Sequence, residues 1–81
     1  MTTTIEKVRG FITTNFYVPD VDALSDDASL LDKGIVDSTG ILEVVSFLER
    51  EFEIKVSDAE LLPENLDSIG RIASFVGRKR A

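Results

Sequence analysis

Apolar residues recur at helical spacing in three stretches of the chain. Ile5, Val8, Ile12 and Phe16 stand at 0, +3, +7 and +11, one stripe of an α-helix. Thr3 and Glu6 have capping-box spacing at its start. The strongest pattern is Ile41, Val45, Leu48 and Phe52 at 0, +4, +7 and +11, flanked by Val44 and preceded by Asp37 as a good N-cap. The last begins near Asp67 and carries Ile69, Ile72, Ala73 and Val76 at 0, +3, +4 and +7. A very short element opens at Ser57-Asp-Ala-Glu60, again with capping-box spacing, and is expected to stop at Pro63. Between the first two helices, Pro19 and the run from Asp20 to Ser29 mark a long polar loop. Leu30 and Leu31 interrupt it and are expected to hold it to the core, and Gly34 breaks the chain again. Glu53-Ile-Lys-Val56 alternates, but a single such segment has no partner strand, so it reads as extended loop. The pattern predicts an all-α fold: a small three-to-four-helix bundle with a long first loop and a short third helix.

Length and composition narrow the possibilities. Eighty-one residues suit one domain spanning 1–81. A chain this short buries only roughly 60–65% of its unfolded surface, which leaves no room for a deep substrate cavity. Hydrophobic residues are 43% and charged residues 30%, an ordinary globular balance that argues against disorder. Cysteine and histidine are both absent. That removes disulfides, Cys/His metal sites, Ser-His-Asp triads and Cys-His dyads. No apolar run approaches the ~20 residues that span a bilayer, so no membrane role is expected. The start, Met1-Thr-Thr-Thr-Ile-Glu6, shows no basic region followed by an apolar stretch, and a cytoplasmic protein is expected.

The charge is unevenly placed. From Asp20 to Asp67 there are fourteen acids against three bases, a net of −11; beyond Asp67 come four bases and no acid. An acidic body repels phosphate backbones, so no nucleic acid is expected as a partner. The tail Gly77-Arg-Lys-Arg-Ala81 reads as a solvated helix end whose cations complement the dipole. The acidic middle suits basic protein partners met by long-range attraction.

The available chemistry is sparse. Serine and threonine hydroxyls have no histidine base to activate them. Carboxylates cluster at Asp26-Asp27 and at Glu49, Glu51 and Glu53, but acid–base work needs them beside a pocket. The stretch from Asp20 to Asp27 starts like a calcium loop but lacks glycine at its sixth position and glutamate at its twelfth. Ser38 differs from the other serines. It follows Asp37 directly and falls in the first turn of the strongest helix, where free N–H groups and the positive dipole end would stabilise an attached phosphate. The same two residues also read as a plain capping pair.

The residues around Ser38 carry a resemblance. From Leu30 to Val56, with Asp37-Ser38 opening a helix and Glu51-Phe-Glu-Ile-Lys-Val56 following it in register, the chain resembles the acyl carrier protein family, peptidyl and aminoacyl carriers included. The stretch from Pro63 to Val76 resembles that family's third loop and fourth helix, so the likeness covers about residues 3 to 78. The resemblance implies a phosphoprotein that carries 4′-phosphopantetheine on Ser38, donated from coenzyme A by a phosphopantetheinyl transferase. Asp37 would help dock that transferase. The arm would hold acyl or aminoacyl groups as thioesters, loaded by an acyl- or aminoacyl-activating ligase and used by downstream acyl-processing enzymes. The implied protein is a cytoplasmic monomer with no catalysis of its own, in fatty-acid or secondary-metabolite biosynthesis.

Placing the second helix at 100° per residue turns Thr39, Leu42, Glu43, Ser46, Arg50 and Glu53 outward, with Glu49 nearer the edge. With the family likeness, this face is the expected partner surface, Glu43 and Glu49 foremost. Phe47 lies off the core stripe and would either cover the third helix or touch a partner. Thr39 and Gly40 after Asp37-Ser38, with Ser46 and Arg50 further on, depart from fatty-acid synthase carriers, and Gly34-Ile-Val-Asp37 with Gly40 look more like a free-standing aminoacyl or specialised acyl carrier. Leu61, Leu62 and Ile54 are candidates to line a groove for a lipid chain. Two other readings stay open: a carrier-like docking module that is never modified, and a small hydrolase using surface carboxylates.

Overall fold

The computed structural model describes residues 3–80; Met1, Thr2 and Ala81, the last residue of the basic tail, lie outside it. Helix α1 runs Thr4–Asn15, and Thr3 caps it by accepting the Glu6 N–H at 3.1 Å. A 3₁₀ turn, Val21–Ala23, sits in the first loop. Helix α2 is Ser38–Phe52. A second 3₁₀ turn spans Asp58–Glu60, where the Glu60 carboxylate accepts the Ser57 N–H at 3.0 Å. Helix α3 is Pro63–Leu66, and α4 is Ile69–Arg80. The α4 start is capped by buried Ser68, whose hydroxyl accepts the Arg71 N–H at 3.0 Å. The segment after α2 is extended and unpaired, and no strand occurs among the described residues. None of their helices is long and apolar enough to cross a membrane.

The short third element differs from expectation. The 3₁₀ turn already stops at Glu60, and Pro63 instead opens α3, because proline's fixed φ and missing N–H suit the first helical position. The sequence pattern shows one short element where the chain makes two.

Packing places α1 and α3 against α4, with α2 meeting α4 as well. The core is built from Val8, Ile12, Val44, Leu48, Phe52, Leu66, Ile69, Ile72, Phe75 and Val76, with Leu24, Leu30, Ile35, Val36 and Ile54 brought in from the loops. Relative to the expected stripe, α2 is rotated. Gly40, Val44, Leu48 and Phe52 are buried, while Ile41 and Val45 are only half-buried. The reason is a row of aromatic rings between α1 and α2. Phe16 lies against Gly40, Phe11 meets Phe16 edge-on with centroids 6.0 Å apart, and Phe11 stacks on Phe47 at 4.2 Å. Phe47 in turn meets Phe52 edge-on at 6.1 Å. Phe47 therefore covers α1, which neither of the two expected roles included. The rings draw the 40/44/47 flank of α2 inward, so Val44 takes the central place assigned to Val45.

The first loop is anchored by Leu30, as expected, and by Leu24, whereas Leu31 stays 37% exposed. Polar bonds hold it as well. Arg9 donates to the Leu24 carbonyl at 2.6 Å and pairs with Asp26, and Gly70 N–H donates to the Asp26 carbonyl at 2.8 Å. Ile5, expected inward, is also 37% exposed. Arg78, Lys79 and Arg80 of the basic tail are exposed but not idle. Arg78 donates to Asn65 Oδ1 at 2.9 Å and Lys79 to the Glu60 carboxylate at 2.9 Å, so α4 fastens the segment before it. The Ser57 N–H, then Lys79, holds the Glu60 carboxyl below the usual range.

Candidate attachment site

Ser38 is delivered to the surface by a tight local frame. Gly34 adopts φ 69°, a left-handed conformation that suits a residue without Cβ, and turns the chain. The N–H groups of Ile35 and Val36 both donate to the Leu30 carbonyl, at 3.0 and 3.2 Å. Ile35 and Val36 are buried, and so is Gly40. Asp37, Ser38 and Thr39 therefore stand exposed between two buried anchors. Asp37 is the N-cap: its extended backbone precedes the helix, and its Oδ1 accepts the Gly40 N–H at 2.7 Å. Ser38 is the first helical residue. Its N–H and that of Thr39 belong to the turn that has no intrahelical acceptors, at the positive end of a 15-residue helix.

Beside Ser38 lies a cleft of about 280 Å³. It is lined by Leu31 of the first loop, Ile41 and Leu42 of α2, and Leu61, Leu62 and Leu66 from the segment after it. Among the described residues, Ser38 is the only polar one in its lining. Leu42 and Leu62 remain 58% and 42% exposed, so the cleft opens to solvent through apolar lips. Leu61 and Leu62 thus line a groove as expected. Ile54 does not; it is buried in the core at the other end of α2. An exposed hydroxyl at a helix start, next to an apolar slot, suits a group made of a phosphate and a flexible chain.

The expected partner face divides. Thr39, Leu42, Glu43, Ser46 and Arg50 are all exposed and border one shallow groove with Phe11 and Asn15 of α1. Glu53 is not part of it. It ends α2 with φ 54°, a left-handed cap, and faces a separate depression near Lys79 and Arg80. Glu49 is half-buried, and its Oε2 accepts the Val56 N–H at 2.9 Å. That bond ties the extended segment to α2, so Glu49 has structural work at the edge of the face. The apolar stripe includes Phe16 and the residues after Ser38 include Gly40, but nothing in the sequence pairs the two; the available signal was a glycine in the first turn of the best helix.

An all-α bundle that projects one serine from a helix start is the form of a carrier domain. The chain belongs to the phosphopantetheine attachment-site family, whose profile matches residues 6–76. It is 29% identical over 75 residues to the probable acyl carrier protein PigG of a Serratia species, covering 93% of this chain and 86% of that one. It is 33% identical over 73 residues to an acyl carrier protein of Thermotoga maritima, covering 90% and 86%. A D-alanyl carrier protein of Streptococcus uberis is 35% identical over 60 residues, covering 74% and 75%. The protein is a carrier that holds intermediates as thioesters on a covalent 4′-phosphopantetheine arm.

Proposed function

We propose that Ser38 is the attachment point of the arm and that the Thr39–Arg50 face of α2 receives the enzymes that load and unload it. The observation carrying this reading is the exposure of Ser38 at the start of α2, between buried Val36 and buried Gly40, on an apolar cleft. When bound, the arm supplies a thiol, which this cysteine-free chain lacks. The chain's own residues position. Ser38 Oγ forms the new bond to phosphorus while the pyrophosphate bond of coenzyme A breaks and adenosine 3′,5′-bisphosphate leaves, and the hydroxyl proton passes to a base on a phosphopantetheinyl transferase. With no histidine in the sequence, that base belongs to the partner. Asp37 holds the first turn through the Gly40 N–H and is itself exposed beside Ser38. Tethering then raises the local concentration of cargo at each partner's site.

The test is intact mass after incubation with coenzyme A and a broad-specificity transferase. The wild-type chain is expected to gain one phosphopantetheine and Ser38→Ala none. An unmodified wild type would instead support a docking module that never receives the arm. Turnover of an ester by the apo protein would support a hydrolase, and none is expected.

The two acids of the partner face should behave differently. Glu43→Lys is expected to slow modification about tenfold at low salt with little change in stability, through lost steering. Glu49→Lys should also cost about 1–2 kcal/mol of stability, because the Val56 N–H loses a charged acceptor. Equal thermal midpoints for both variants would count against the Glu49 assignment, and an unchanged rate in Glu43→Lys against the surface.

The cleft favours apolar acyl cargo over a small aminoacyl group. Among the described residues, its lining offers no side-chain acceptor for an ammonium other than the Ser38 hydroxyl. An octanoyl thioester is therefore expected to raise Tm by roughly 5 °C over the alanyl form, since ligand held only by the folded state stabilises it. Identical midpoints for the two forms would remove this preference.

A further inference from the structure

Gly40 stands where α1 comes closest to the start of α2. A Cβ placed there would lie 2.8 Å from Phe16 Cε1, 3.2 Å from Val36 Cγ1 and 3.3 Å from Asp37 Oδ1. All three distances are below ordinary van der Waals contact. Phe16 is half-buried, and its neighbours limit how far its ring can swing aside. The Phe16 backbone is held by its N–H bond to the Ile12 carbonyl at 3.0 Å, and its ring abuts Phe11. Phe11 is in turn stacked on Phe47. Val36 is 1% exposed. Asp37 Oδ1 is engaged by the Gly40 N–H itself. Glycine is a poor helix former, so its presence inside the first turn runs against local preference. The close approach of Phe16 is the physical reason for it.

We propose that Phe16 and Gly40 are a paired positioning element for Ser38. The ring seated on the glycine fixes the pitch of the first turn and the direction of the Asp37 carboxylate, and through them the presentation of the serine hydroxyl. Both residues act through the turn and not on the hydroxyl. The inference rests on Ser38 as the attachment point. It adds that α1, a helix away in sequence, sets how well that serine is modified.

Two variants and their combination test it, with wild type and Ser38→Ala alongside. Modification by a broad-specificity phosphopantetheinyl transferase is followed by intact mass, at temperatures well below each denaturation midpoint. Gly40→Ala is expected to lower kcat about tenfold while KM for the carrier changes less than about twofold, because misplacement of a reacting group acts on the chemical step. Phe16→Ala in the Gly40→Ala background should restore kcat to within about threefold of wild type, since the added methyl then occupies space the ring has left. A purely structural role would lower the denaturation midpoint and leave kcat of the folded protein unmoved. An unchanged kcat in Gly40→Ala, or a loss not relieved by Phe16→Ala, overturns the proposal. If Gly40→Ala does not fold, Phe16→Ala alone decides: a fall in kcat of several-fold supports the pairing, and wild-type kcat overturns it. The underlying reading fails separately. A wild type that gains no mass, or a Ser38→Ala that still does, removes the attachment point and this proposal with it. A modified wild type, a bare Ser38→Ala and an unaffected Gly40→Ala remove the proposal alone.

Discussion

Phe47→Ala is expected to destabilise the bundle by about 3 kcal/mol, near the low end of what losing a phenylalanine ring from a packed site costs. The ring is the middle member of the aromatic row: it stacks on Phe11 at an interplanar angle of 15° and meets Phe52 edge-on at 87°. Removing it deletes two aromatic contacts, each contributing about 0.5–1.5 kcal/mol beyond buried area, and leaves α1 and α2 with a gap between them. Phe47→Leu should recover roughly half the loss, because it refills area without restoring the stack. For a domain of this size each kcal/mol moves Tm by roughly 4–8 °C, so the alanine variant should melt more than about 10 °C below wild type. Near-native melting together with slowed modification would show instead that Phe47 faces partner enzymes.

Asp67→Ala is expected to cost about 2–3 kcal/mol, measured by denaturant midpoint at constant m. Its carboxylate accepts the Ser29 hydroxyl at 2.7 Å and the Leu31 N–H at 2.9 Å, while its carbonyl accepts the Leu30 N–H at 2.7 Å. The carbonyl bond survives the substitution; the two carboxylate bonds do not. Ser29 and Leu31 lie 38 and 36 residues away in sequence, so Asp67 closes the long first loop onto the junction of α3 and α4. Leu31 lines the cleft beside Ser38. Losing its anchor should loosen that wall, so Asp67→Ala is also expected to shrink the Tm difference between octanoyl and alanyl forms. Asp67→Asn keeps one acceptor and should lie between. A denaturant midpoint unchanged from wild type in Asp67→Ala would refute this assignment.

What the residues spell locally was legible at the start. Thr3 and Asp37 read as caps, and each accepts the N–H three residues on. The unpaired alternating segment after α2 is extended loop, as its isolation required. Ser38 stands out because Asp37 and a strong apolar period follow local rules that need no partner. Other elements depended on what they meet. Leu30 and Leu31 are indistinguishable as neighbours in a sequence, yet one is 1% and the other 37% exposed, because the hydrogen bonds of Ile35 and Val36 to the Leu30 carbonyl set which one turns inward. Glu49 and Glu43 are two acids on one helix, and only the position of Val56 separates their roles.

The chain's own order of residues determined the three main helices and the place of Ser38 at the start of the strongest of them, because capping and 3.6-residue periodicity act within a few positions. Only the tertiary structure decided the rotation of α2, the use of Gly40, the seat of Phe47 and the apolar cleft. Each of these depends on side chains from α1 or from the segment 57–66 reaching α2. Contact between residues far apart in sequence is settled by packing at fixed volume, which no local pattern encodes.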